Sequence, residues 1–596
     1  MDGISLQTLL RPATIDGRSR YPSEIFDTEC CVRPKEGPRP PKTTRWNSHE
    51  HFMTSAICYS MGISCWWRFP TYALRYDGGA FLYVYAFLLI VIGHPLLYFE
   101  VILGKITNKG SDNVFRLCPF IEGLGIAMAL VSSYMSLYFG IITSYTTMYM
   151  LSSINPNFVW MICDKAPCWN KTNDSNAIIP PENYFYKTVV GTRNVEDSNW
   201  IHNINWTIVA ILLVIWICVY ICLAIDIRSC SMLGTILAIT MYILIIPIFL
   251  ATQKGKGALE GTKKLFTPPF NKMKNVALWS DALEQVFFSL ALATGPAISF
   301  GSYSQFMHPV YGNCICICCM VLVMSTVMAT ITFNSLGILA TYTESKNLST
   351  IIKKGPGSVF ILYSLALTEL PFLQGWAVVT YAAATVTAIF TMSVVLEIVL
   401  SMLCRSFKFF RKNRPLASAT ITGVLFVLSL PGTSKVGLEM IMVLDEYPVG
   451  RSLSLIAFCE MLTVILCLGA HVLSDRSLFK FGKPISLFYQ YSWIYLPVVL
   501  FLLVVISFVP GENLIYSSSA NAAGWILYSI VVLAIVTKAI YNSVQFTRRS
   551  VFLDVFSLRE PENGDEVPKF SNAPPPNDRP KLVPSPVECP LRDRSN

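Results

Sequence analysis

Charged residues are scarce. Asp, Glu, Lys and Arg make up 14% of 596 residues, against roughly a quarter in soluble domains. That excludes a single soluble globular domain and a disordered chain. Histidine is scarcer, with six copies and no metal spacing. GxSxG, HExxH and the phosphate-cradling GxxxxGK[ST] are absent, so no enzyme chemistry is expected, and no cofactor. No charged-then-apolar leader with a small-residue cleavage site opens the chain, so the first apolar run is expected to serve as a span. What is abundant is apolar: 53% of residues, with mean hydropathy +0.50. At about 20 residues per crossing this allows roughly ten to twelve helices, with the lipid bilayer as partner. The net charge of +9 is small for the length and reads as topology bias, not a nucleic-acid surface. Eighteen cysteines lie mostly inside apolar runs, as small hydrophobes.

Twelve apolar runs follow one another, at about 52–74, 80–103, 119–151, 206–225, 230–252, 279–305, 313–340, 372–404, 416–432, 449–473, 485–509 and 523–545. The expected organisation is a polar N-terminal segment 1–50, a twelve-helix domain 51–546 and a Pro-rich solvated tail 547–596. An even count puts both termini on one side. Lys105, Lys109 and Arg116 fall on that side, as do Arg405, Lys408, Arg411, Lys412 and Arg414, and Arg476, Lys480 and Lys483. The positive-inside rule then makes both termini cytoplasmic. Six lysines in 253–278 disagree and are outvoted. The long external loop 152–205 carries Cys163 and Cys168, with sequons at Asn170, Asn173 and Asn205. Asn170 and Asn173 are expected to be glycosylated. Asn205 abuts the fourth span and is not.

Two spans look breakable. The first reads CYSMGISCWWRFP, with Gly62 and Ser64 mid-span before Arg68 and Pro70; the sixth reads FFSLALATGPAISFGSY, with Thr294-Gly295-Pro296 mid-span. Pro removes a helical hydrogen bond and Gly weakens its turn. Paired interruptions in corresponding halves mark midplane binding sites in transporters. CICICC, at the start of the seventh run, resembles a thiolate cluster, but i and i+2 do not share a helix face, so it reads as apolar filler.

Several stretches resemble the neurotransmitter:sodium symporter family, solute carrier family 6. They are WWRFP…DGGAFLYVYAFLLIVIGHPLLYFEVILGK, GALEGTKKLFTPPFNKMKNVALWSDALEQVFFSL, FNSLGILA, GPGSVFILYSLALTELP and VLDEYPVGRSLSLIAFCEML, in the family's order across roughly 45–545. The resemblance implies an all-α membrane fold of twelve transmembrane helices, an inverted five-plus-five repeat with helices 1 and 6 broken. It implies a plasma-membrane, sodium- and chloride-dependent carrier, and by analogy alone a homodimer. Arg68 and Asp445 match the ion pair closing the extracellular gate; an arginine at membrane depth needs such a partner. Gly62, Tyr138, Phe139, Phe288, Ser289 and Thr294 match the substrate pocket. Tyr85, Gln285, Ser289 and Ser325 match the chloride site, where neutral donors suit an anion. Glu100 and Glu460 match acids that pair inside the bundle, and Cys163 and Cys168 match the external disulfide. Asp stands at the Gly62 position in the monoamine branch. Gly is usual where the substrate brings its own carboxylate, which a half-helix N-terminus can bind. A small amino acid or related zwitterion is therefore the expected substrate.

The departures from the family pattern concern ion coupling. Sodium wants oxygen ligands, as other hard cations do. At the first sodium position the family's two Asn are replaced by Cys65 and Val321, while Ser289 survives. At the second, Phe390 and Thr391 stand where Asp or Thr and Ser are usual. Backbone carbonyls at Cys58, Ser60 and Met61 remain. The third-span Tyr aligns with Phe139, beside Tyr138. At the cytoplasmic gate the usual Arg aligns with Thr43 and its acid with Arg405, which Lys42 or Arg45 would repel. One sodium ion supplies about 1.4 plus 2.3 kcal/mol from a tenfold gradient and about 100 mV, roughly a 500-fold accumulation. Degenerate sites remove that drive. The expectation is an amino-acid carrier with weak or lost sodium coupling; the alternative is a non-transporting membrane protein that keeps the fold as a receptor, chaperone or interaction partner.

Overall fold

The computed structural model describes residues 49–548 except 61, 156–158, 162–178, 192–203, 226, 268–269, 304–309, 344–350, 352–354, 464–468, 482–483 and 509–516. Met61, Thr43, Lys42, Arg45, Cys163, Cys168, Asn170 and Asn173 lie outside the described residues, as does most of the tail. Among the described residues every regular element is helical. The longer helices are α1 (His49–Ser60), α2 (Phe69–Arg75), α3 (Gly79–Thr107), α4 (Gly123–Ser153), α5 (Trp206–Ile225) and α6 (Ile227–Lys254). They continue with α7 (Ala258–Phe266), α8 (Val276–Leu290), α9 (Pro296–Tyr303), α10 (Val310–Tyr342), α11 (Ser358–Thr368) and α12 (Leu373–Ser406). The last are α13 (Arg414–Ser429), α14 (Gly437–Leu444), α15 (Ser452–Thr463), α16 (Ala470–Phe481), α17 (Leu487–Ser507) and α18 (Ser518–Arg548). Eight helical stretches among the described residues are long and apolar enough to cross a membrane.

The first, sixth and tenth runs are interrupted, each beside a proline, whereas the fifth continues as the single helix α6. In the first run α1 ends at Ser60, and a widened π-type stretch at Ser64–Arg68 leads into α2. Pro70 cannot donate to the carbonyl of Trp66, and that carbonyl accepts from the Tyr363 hydroxyl at 3.3 Å instead. A second π stretch, Leu89–Gly93, precedes Pro95 within α3. A third, Asp445–Arg451, contains Pro448 and joins α14 to α15. The tenth run therefore begins helically at Gly437, not at 449, and Gly469, at a positive φ of 70°, precedes the separate helix α16. Hydropathy hid the start of the tenth run because Glu439, Asp445 and Glu446 look polar, yet Asp445 is paired and buried.

The sixth run breaks between α8 and α9. Ala291 and Ala293 adopt positive φ of 58° and 57°, and Gly295 one of 99°. Left-handed alanines cost roughly 1–2 kcal/mol each, so the segment is held from outside. The Glu100 carboxylate accepts from the Ala293 amide at 2.8 Å. Ser132 donates to the Thr294 carbonyl at 3.2 Å. The break spans Ala291–Gly295 and is not confined to Gly295.

Close helix contacts use small residues, as in lipid. A Cβ on Gly104 of α3 would lie 2.0 Å from the Ile298 carbonyl oxygen of α9, and one on Gly301 would lie 2.2 Å from the Val101 oxygen. α4 packs along α12, joined by Thr147 and Thr385 hydroxyls 3.3 Å apart. The outvoted lysines also find a reason. Lys264 lies 3.9 Å from Asp77, in the turn between α2 and α3, and Lys272 pairs with the same carboxylate. Segment 253–278 thus sits at the α2–α3 end.

Candidate substrate and ion sites

Arg68 follows the break in the first run and is fully buried. Its Nε donates to Asp445 at 2.9 Å, its Nη1 to the Gln285 Oε1 at 2.9 Å, and its Nη2 to the Tyr72 hydroxyl at 3.2 Å. Asp445 also accepts from Tyr72 at 2.8 Å and Tyr138 at 2.9 Å. The guanidinium lies over the Phe288 ring, 3.8 Å from its centre. This cluster joins α2, α4, α8 and the π stretch after α14. Every lone pair and proton so satisfied offsets the cost of burying two charges. Just beyond, Arg75 pairs with Asp281 at 3.0 Å, and Tyr76 donates to the same carboxylate at 2.8 Å. Burial and the Asp281 charge push the Tyr76 phenol up, so it donates as a neutral hydroxyl.

Tyr138, expected in the substrate pocket, donates its hydroxyl to Asp445. Phe139 faces Phe288, with ring centres 6.5 Å apart. Sequence reasoning missed one member of this cluster, Glu284, 3% exposed, whose carboxylate lies 3.5 Å from Arg68 Nη2. Its signal was an acid adjacent to Gln285 in an apolar run, overlooked beside the more familiar Asp445.

Three residues of the expected anion site, Tyr85, Gln285 and Ser289, lie within hydrogen-bond reach of one another. Ser289 accepts from the Tyr85 hydroxyl at 3.1 Å and from Gln285 Nε2 at 3.1 Å, and its hydroxyl lies 3.1 Å from that of Ser64. Ser325 donates to the Cys65 sulfur at 3.4 Å. All are buried. Thr294 hydrogen-bonds the Ala291 carbonyl within the break.

The ion positions show how their oxygens are occupied. The Cys65 thiol donates to the Ser60 carbonyl at 3.0 Å, so the carbonyl that ends α1 is satisfied by a proton. Val321 is buried and adds no oxygen. The Thr391 hydroxyl donates to the Thr387 carbonyl at 2.9 Å. It also abuts Gly62, where a Cβ would lie 2.3 Å from Thr391 Oγ1. Gly62 is therefore required by the approach of α12, in addition to any role toward a carboxylate. Phe390 is buried beside it, and Cys58 is fully buried.

Glu100 and Glu460 are both fully enclosed. Glu100 has a defined task, holding the Ala293 amide. Arg405 donates to the Asp112 carbonyl at 2.7 Å and pairs with the Asp112 carboxylate. Among the described residues no group of His, Cys, Asp and Glu could hold a metal. Cys314 and Cys318 face inward while Cys316 and Cys319 face out, as the helical spacing required.

Two broken helical runs, a buried ion pair against the Phe288 ring and a hydroxyl-rich cluster beside them are features the sequence led one to expect of a secondary transporter. Residues 43–548 match the Sodium:neurotransmitter symporter family, and the chain belongs to it; it is a transporter-family protein, not an enzyme. The sodium- and chloride-dependent GABA transporter ine of Drosophila melanogaster is 26% identical over 84% of this chain, and the match spans 56% of that relative. The sodium- and chloride-dependent glycine transporter 2 of Xenopus laevis is 25% identical over 84% of this chain and 69% of its own length. The sodium-dependent dopamine transporter of Bos taurus is 26% identical over 80% and 72%. The crystal structure of MhsT in complex with L-phenylalanine shares the fold, with TM-score 0.64 and 18% identity, covering 78% of this chain and 99% of that one.

Proposed function

We propose that this chain carries a small amino acid or related zwitterion across the plasma membrane, with sodium contributing little or nothing to the drive. In this reading twelve spans form an inverted five-plus-five repeat with both termini cytoplasmic. The Arg68–Asp445 pair is the extracellular gate, and the Gly62, Tyr138, Phe139, Phe288, Ser289 and Thr294 groups line the pocket. Chloride would be held by Tyr85, Gln285, Ser289 and Ser325. Relatives named for GABA and glycine transport support the class of substrate, and Gly62 weighs against a monoamine such as the dopamine of a third relative. The observation that carries the sodium statement is the Cys65 thiol on the Ser60 carbonyl, a proton donor where a cation would bring charge.

The test is counterflow of amino acids into proteoliposomes, in sodium against choline. Exchange at similar rates in both supports the reading; exchange only in sodium overturns it. The same thiol–carbonyl bond favours one second reading, a non-transporting member that keeps the fold as an interaction partner. No exchange of any amino acid in either salt supports that alternative.

A further inference from the structure

We propose that Asp112 and Arg405 form the latch that closes the end of the transporter opposite Arg68, with the charges placed the other way round from the family's pattern. This rests on the transporter reading above. The 29 residues of α3 carry the chain about 43 Å from the Arg75 end, so Asp112 lies at the far end from Arg68.

Two packed units meet there. α3 and α9 touch backbone to backbone through Gly104 and Gly301. The turn Ser111–Val114 is fastened to that unit: the Ser111 hydroxyl lies 3.3 Å from that of Ser299, and a Cβ on Gly295 would lie 2.6 Å from Ser111 Oγ. The other unit is α4 with α12. Arg405 ends α12, and its guanidinium grips both the carboxylate and the carbonyl of Asp112. The pair therefore joins the unit containing the broken sixth run to the unit containing α12. Side-chain exposures of 26% for Arg405 and 7% for Asp112 place it at a water-facing rim, where an ion pair can form and part without full desolvation. An arginine in place of the family's acid is compensated by an acid in the neighbouring turn.

Native Cys58, fully buried in α1 on this side of the break, reports opening without any substrate. The experiment is site-resolved alkylation of Cys58 in the purified full chain, read by peptide mass spectrometry. Asp112→Asn and Arg405→Gln should each raise the rate by about fivefold. The charge-swapped pair D112R/R405D should return it to within about twofold of wild type, which a merely misfolded protein would not do. Singles at the wild-type rate, or a swap that labels faster than either single, overturn the latch. Amino-acid counterflow is measured on the same preparations. Rescue by the swap without counterflow keeps the latch and removes the transport reading. Counterflow with unchanged labelling removes the latch alone.

Discussion

Replacing Gly62 by Ala tests how tightly α12 closes on the broken first run. The added Cβ would stand 2.3 Å from Thr391 Oγ1, 3.1 Å from the Tyr59 carbonyl oxygen and 3.3 Å from Thr391 Cβ. The first contact is well inside van der Waals distance, and the hydroxyl cannot swing away without breaking its 2.9 Å bond to Thr387. Overpacking of this kind costs about 1–3 kcal/mol. Thr391→Ala alone loses one hydrogen bond to a carbonyl that stays in its helix, about 1 kcal/mol or less. The two changes share one contact, so their costs do not add. Removing Oγ1 leaves nothing nearer than the 3.1 Å carbonyl, and the double variant should melt above Gly62→Ala. The assay is thermal unfolding of detergent-purified protein, read by a thiol-reactive fluorophore on the buried cysteines. A Gly62→Ala protein that melts like wild type, or a double variant that melts below the single, refutes the proposed approach of α12 to Gly62.

Other expected outcomes follow from the same contacts. Asp445→Asn removes the closer of the two acids at the buried Arg68, leaving Glu284 at 3.5 Å, and should cost about 1.5–3 kcal/mol; a thermal midpoint equal to wild type would contradict the burial of the pair. Glu100→Gln keeps an acceptor for the Ala293 amide and should fold normally, whereas Glu100→Ala should lose about 1–3 kcal/mol, both read by thermal melting. Asn205 donates to the Thr188 and Val189 carbonyls and accepts from the Thr207 amide, so its side chain is engaged at the helix start. Asn205→Gln should leave the glycan count unchanged by intact mass, and a lost glycan would contradict this.

The sequence made the breaks legible because Gly and Pro are local signals: Gly62, Pro70 and Gly295-Pro296 all fall where helices end or change type. The family resemblance paired Arg68 with Asp445 across 377 positions, in keeping with the need of a buried cation for an acid. What the sequence could not convey was competition for the same partner. Tyr138 and Phe139 are adjacent, and only packing decides that the phenol goes to Asp445 while the phenyl faces Phe288. Ala291 and Ala293 read as helix formers. Their left-handed turns depend on Glu100 and Ser132, far away in sequence. The start of the tenth run was obscured because Asp445 is neutralised by Arg68 from the first run and Glu446 by Arg451 within its own π stretch.

The most direct test of the central claim is the melting temperature of the purified chain in sodium, potassium or choline, each with and without an amino-acid mixture. If protons and hydroxyls already satisfy the ion-site oxygens, amino acids should raise the midpoint equally in all three salts, and sodium alone should do nothing. A rise seen only in sodium would mean that an ion displaces the Cys65 thiol from the Ser60 carbonyl, contradicting the account.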